Sequence, residues 1–237
     1  MKTILEICKE VADLAAVKRP NDLFNVAGQQ DRIFLSIAKS SLDSLLRYGD
    51  WQELTKEAWF VTIAGKKQYR INEIVADFYC LLADTIYIKD STEKIIGAVT
   101  PQQWMKEKYC CTVSADIKFK LQNGCFVFIN EPPCGTKIVF QYRSNNIVWD
   151  FNTFEEKNVL SANTDVPIFD EYVVKLDILW RWLKRNGLDY AEEYNEYLRE
   201  LKKRYGAERL TENISLAKPE LNEEGEINAI KIIKSCR

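Results

Sequence analysis

Apolar positions in the first fifty residues recur at helical spacing. Ile4, Ile7, Cys8, Val11, Leu14 and Ala15 share one face, and Thr3 with Glu6 has capping-box spacing, in which each side chain satisfies a backbone N–H left free by the first turn. Pro20 is expected to end this helix, because proline removes a helical donor. After a turn-rich stretch over 21–30, a second helix beginning near Asp31 is predicted from Ile33, Ile37, Ala38, Leu42, Leu45 and Leu46, with Gly49 closing it in a left-handed conformation. From about Trp59 to Trp149 the pattern shortens to strands. Segments 58–63 and 68–71 flank Ala64-Gly65-Lys66-Lys67, read as a hairpin turn, and 85–88 and 94–99 are further strands. Pro101 starts one short helical turn reaching Trp104. The clearest hairpin joins 117–121 to 126–129 through Asn123-Gly124, a pair that readily takes the positive φ angles of a tight turn. Beyond Pro132-Pro133 and Gly135, strand 137–143 turns Ile138, Phe140 and Tyr142 one way and Val139 and Gln141 the other.

Residues 168–205 read as an αα-hairpin. Its first helix has one apolar stripe of Phe169, Val173, Leu176, Trp180 and Leu183, and a second beside it of Tyr172, Leu179 and Trp182. Such an arc is wider than a helix lying on a single core needs, so it must be covered from two sides, by the rest of the chain or by another subunit. We take Trp180 as a core residue and Tyr172, Leu179 and Trp182 as candidate subunit-interface residues. Asn186-Gly187 stops this helix, and Asp189 with Glu192 offers a capping-box-like restart. In the second helix Asp189, Glu192, Glu193 and Glu196 precede Arg199, Lys202, Lys203 and Arg204, an order that suits the helix dipole and explains the basic cluster without nucleic acid. After Gly206 the chain turns polar, and then Ile227, Ile230, Ile232 and Ile233 return between lysines. These four are also candidate interface residues, in a tail that docks on its own domain or adds to a neighbouring subunit.

The predicted fold is α+β. It is a helical bundle, made of N-terminal helices and the C-terminal αα-hairpin, with an inserted small antiparallel β-region and an extended C-terminal tail. The boundaries are 1–58 for the N-terminal helices, 59–150 for the β-rich region, 151–206 for the hairpin packing on those helices, and 207–237 for the tail.

Composition narrows the chemistry. The 237 residues contain no His, which removes the commonest general acid–base group and every His-dependent triad. Seven cysteines, irregularly spaced and without a CxxC, read as reduced, buried thiols and not as a metal site. The 35 acidic residues leave a two-carboxylate hydrolase arithmetically possible, but Asp77 and Glu131 are no better placed than background. Ala64-Gly65-Lys66-Lys67 lacks the first glycine and the spacing of a phosphate loop. A net charge of −2 gives no basic field for collecting DNA. No apolar run is long enough for a bilayer, and Glu6, Glu10 and Asp13 interrupt what a signal peptide needs, so residues 1–20 read as a helix of the mature protein. No catalytic residue, cofactor or metal is expected.

The order of features resembles the head-to-tail adaptor, or connector, proteins of tailed phages, especially the short-tailed ones, over residues 3–205. The pieces that carry it are a helix ending at a Pro, a helix leading into Gly49-Asp50-Trp51-Gln52 and Leu54, a hairpin around Gly65, and Pro101-x-x-Trp104. They continue with 123–144, where a strand, Pro132-Pro133, Gly135 and a Tyr142-bearing strand follow in order. The most specific piece is Asp165-x-Pro167, then a helix with Trp180 and Trp182, Lys184, Gly187-Leu188-Asp189-Tyr190 and a Tyr-bearing helix. At Tyr69-Arg-Ile-Asn-Glu73 the chain departs from the Leu-Pro-x-Asp step common in the family. The resemblance implies a non-enzymatic virion protein made in the bacterial host cytoplasm. It would sit at the particle's neck, bind below the portal protein in a homo-oligomeric, twelvefold ring, and contact tail or nozzle proteins. Double-stranded DNA would pass through its channel without sequence recognition, and it would have no membrane anchor. The alternatives are a tail-tube or other head-completion subunit, a virion-associated cell-wall hydrolase, and a glycan-binding module.

Overall fold

The structure, a computed structural model, describes residues 1–25, 28–91, 95–109 and 116–212. It is mixed α+β, with six helices and several largely antiparallel sheets among the described residues. Among those residues no helix is long and apolar enough to cross a membrane.

Helix α1 (Ile4–Leu14) starts with the expected reciprocal cap: Glu6 N–H donates to Thr3 Oγ1 at 3.3 Å and Thr3 N–H to Glu6 Oε2 at 2.8 Å. Pro20 is not what ends it. The helix stops at Leu14, six residues earlier, as Ala16 takes a left-handed φ of 52° and Val17 N–H closes back on Ala12 O. Helix α2 (Gln29–Tyr48) starts two residues before Asp31 and buries Phe34, Ile37, Ala38, Leu42, Leu45 and Leu46. Gly49 does not close it in a left-handed conformation; its backbone is extended. Glycine is needed there for another reason, since a Cβ would lie 2.6 Å from the Tyr205 ring. The chain then buries Trp51, whose indole N–H donates to Leu45 O at 2.7 Å.

Strand β1 (Thr55–Val61) is followed by β2 (Gln68–Arg70), helix α3 (Ile71–Ile74), β3 (Phe78–Leu81), β4 (Tyr87–Ile88) and β5 (Ile95–Ile96). Next come helix α4 (Pro101–Tyr109), β6 (Ile117–Gln122), β7 (Cys125–Phe128) and β8 (Lys137–Ser144). The turn at Gly65 exists, with φ +77° and Lys66 N–H bonded to Ile63 O, but it is not a hairpin. β1 pairs with β8 while β2 pairs with β7, so the turn passes the chain from one sheet to the other. α4 runs beyond the single turn expected, with Thr100 and Gln103 capping each other at its start. Asn123 and Gly124 both have positive φ, 50° and 68°, and join β6 to β7 as predicted.

One sheet has the order β1-β8-β3 with β4 also on β8, and the other runs β2-β7-β6-β5, its last pair parallel. Both contribute to one aromatic core containing Phe60, Tyr69, Phe119, Phe126, Phe128, Phe140 and Tyr142.

Strands continue past position 150. β9 (Val148–Asp150), β10 (Glu156–Lys157) and β11 (Asp165–Pro167) form a third small sheet, and Val148 and Leu160 join the core of the helices instead of the aromatic one. Helix α5 (Glu171–Arg185) is capped by Asp170, whose carboxylate accepts from the N–H groups of Tyr172 and Val173. It ends at Gly187, φ +70°, where Leu188 N–H bonds to Leu183 O. Helix α6 (Ala191–Glu212) follows, and α1, α2, α5 and α6 share a second apolar core.

Candidate assembly surface

The interior carboxylates are committed to holding elements together. Asp177, fully buried, accepts from Trp180 Nε1 at 2.7 Å and Arg181 Nε at 3.0 Å, and Arg181 reaches Ser40 and Ser44 of α2. Asp165, also fully buried, accepts from Lys157 Nζ and from the N–H groups of Ser161 and Ala162, fixing the loop before α5. Hydrogen bonds from Asn163, then from the N–H groups of Phe24 and Asn25, hold the Asp22 carboxyl down at about 2. Glu131 accepts from Gly65 N–H. Asp77 takes bonds from Lys56, Tyr142 and Ser144. Among the described residues no group of three or more His, Cys, Asp or Glu is placed to hold a metal ion. Cys8, Cys80, Cys125 and Cys134 are free thiols; Cys8 and Cys125 are buried as expected, but Cys80 is only partly buried and Cys134 is exposed, and burial pushes Cys8 up to about 12.

The conspicuous exposed feature lies on the outer face of the β1-β8-β4 part of the sheet. Strand alternation sends Ala58, Phe60, Ile138 and Phe140 inward, so Trp59, Val61, Val139 and Tyr87 point out. The register places Trp59 opposite Val139 and Val139 opposite Tyr87, one row across three strands. Trp59 is 54% exposed and Tyr87 56%, and Ile63 extends the apolar row beyond the end of β1. Lys137 Nζ sits over the Trp59 ring, 3.6 Å from its centroid. This row was not among the predicted interface residues, although its signal is in the sequence: 58–61 is apolar in both strand phases.

The expected interface on α5 is corrected. Leu179 and Trp182 are buried in the chain's own core, at 7% and 4% exposure, with Trp182 stacked on Phe34 of α2 at 4.1 Å and 5°. Trp180, expected in the core, is the half-buried one. Its indole bonds to Asp177 and meets Tyr190, Tyr194 and Tyr197 on the α6 side. Two stripes do need covering from two sides, but both covers come from within the chain: α1 and α2 on one side and α6 on the other. Tyr172 alone of the three stays exposed, its hydroxyl donating to Glu196 at 2.5 Å. It borders a cleft of about 620 Å3 whose walls include Trp149, Phe169, Glu156 and Arg204. Ile227, Ile230, Ile232 and Ile233 lie outside the described residues.

No protein-family model matches the chain, and no curated protein matches its sequence.

Proposed function

We propose that this chain is a structural subunit of a tailed-phage particle, a head-to-tail adaptor that binds below the portal ring and continues the DNA channel towards the tail. In this reading the helices form the supporting bundle, with α5 and α6 as its antiparallel hairpin, and the β-rich insertion presents a contact face. The observation that carries it is the row Trp59–Val139–Tyr87 with Val61 and Ile63, because a contiguous exposed apolar patch marks a surface built for a partner. The residues that carry the resemblance support it in a second way. Trp51, Asp165 and Trp182 are buried fold-holding groups, as expected of a signature that preserves a shape. Net charge near neutrality suits a wall along which DNA must slide without strong phosphate binding.

Electron microscopy of the purified chain mixed with portal rings of its own particle tests this. The expected result is added density in register with the ring on the face that meets the tail. Rings that stay bare in the presence of excess folded chain would overturn the proposal.

A further inference from the structure

The two apolar cores share no residue, and the chain crosses between them twice, at 55–57, after Leu54, and at 143–146, before Ile147. What fills the junction is polar. Lys56 Nζ on β1 donates to Asp77 at 2.7 Å and also to Glu156 on β10; Asn146 Nδ2 bridges the same two carboxylates at 3.3 and 2.9 Å. Tyr142 and Ser144 of β8 each donate to Asp77 at 2.8 Å. Beside them Arg143 donates to Gly49 O and pairs with Asp50 at 3.0 Å, its guanidinium over Tyr79 and near Cys80. Of the seven buried polar or charged residues among those described, three (Arg143, Ser144 and Asn146) lie here, so burial of polarity is concentrated where the cores meet. Arg143 Nε, Asn145 Oδ1 and Trp149 Nε1 are buried here without a protein partner, as is Ser41 Oγ on α2.

We propose that the junction is a latch: the Lys56–Asp77–Glu156 cluster and the Arg143–Asp50 pair hold the β-rich unit in one orientation on the helical unit, and neutralising them lets it swing about the two crossings. Polar contacts between units permit relative motion, whereas a shared apolar core would forbid it. Of the residues bonded within the latch only Tyr142 belongs to a core, through its ring, so each core remains packed when the latch opens. The inference is independent of the adaptor reading.

The charges set a pH window. Burial pushes the Asp77 carboxyl up, but the bonds from Lys56, Tyr142 and Ser144 together outweigh it and hold the group below its ordinary value. Glu156 follows the same balance, with Lys56 and Asn146 outweighing burial. Lys56 is pushed down by burial and up by more through its two carboxylates. Depressed carboxylates stabilise the closed form above their ordinary range and stop doing so as pH falls through their lowered values. The raised lysine stabilises it below its ordinary value and stops as pH rises through the raised one. The latch is therefore shut across the neutral range and opens in acid.

Small-angle X-ray scattering on the full chain, with far-UV circular dichroism on the same samples, reads this out. Lys56→Met and Asp77→Asn should each raise the radius of gyration at neutral pH and speed proteolytic cleavage at the crossings 55–57 and 143–146, while the dichroism stays native. Should Lys56→Met fail to fold, the wild-type chain taken to about 1 M salt, where the screening length falls to about 3 Å, should expand the same way. Scattering from a folded variant that superposes on wild type, or no expansion of the wild type in salt, would overturn the latch.

Discussion

The helical and β-rich regions solve the burial problem differently. The helical core covers its broadest apolar surface from within: α5 presents two apolar stripes, with α1 and α2 on one side and α6 on the other. The β-rich region packs its aromatic core between two sheets but leaves the outer face of one sheet bearing Trp59, Val61 and Tyr87 in the open. One region spends its large side chains on stability, and the other keeps some of them for contact. A tryptophan's meaning therefore depends on which region holds it, and substitutions of tryptophan should separate the two.

The largest effect is expected at Trp182. Trp182→Ala removes the ring stacked on Phe34 and should cost about 3–5 kcal/mol of stability by denaturant unfolding. Trp180→Ala should cost clearly less, since that ring is only partly buried; equal losses would break the assignment of the two faces. Next comes Asp177→Ala, which leaves Arg181 and the Trp180 indole N–H without their carboxylate inside the protein and should cost about 3 kcal/mol, read by the same titration. Thr3→Ala removes the α1 cap and should cost about 1 kcal/mol. Smallest on stability is Trp59→Ser, within about 0.5 kcal/mol of wild type by thermal unfolding, because the ring it removes lies mostly in water.

The parts of this fold that were legible in the sequence are those decided locally. The Thr3–Glu6 cap, the Asn123-Gly124 turn and the alternation of 137–143 each depend on a few neighbouring residues, and each appears as read. What was not legible depends on partners distant in sequence. Whether 58–63 pairs with 68–71 or with β8 is a choice among strands, and the turn at Gly65 is compatible with both. Gly49 looked like a helix stop, yet its constraint comes from Tyr205, 156 positions along. For Trp180 and Trp182, periodicity identified two stripes but not which one faces α2, since the ring contact with Phe34 decides that. The exposed row was readable in principle. A strand apolar in both phases must bury both faces or offer one, and only the three-dimensional register shows that Trp59, Val139 and Tyr87 line up.

Sedimentation of Trp59→Ser and wild-type chain with portal rings tests most directly whether that row is the contact face. At equal folded stability, the variant should bind at least about 30-fold more weakly, the loss expected for an aromatic anchor worth about 2 kcal/mol. Binding of the two proteins at the same affinity would contradict the account.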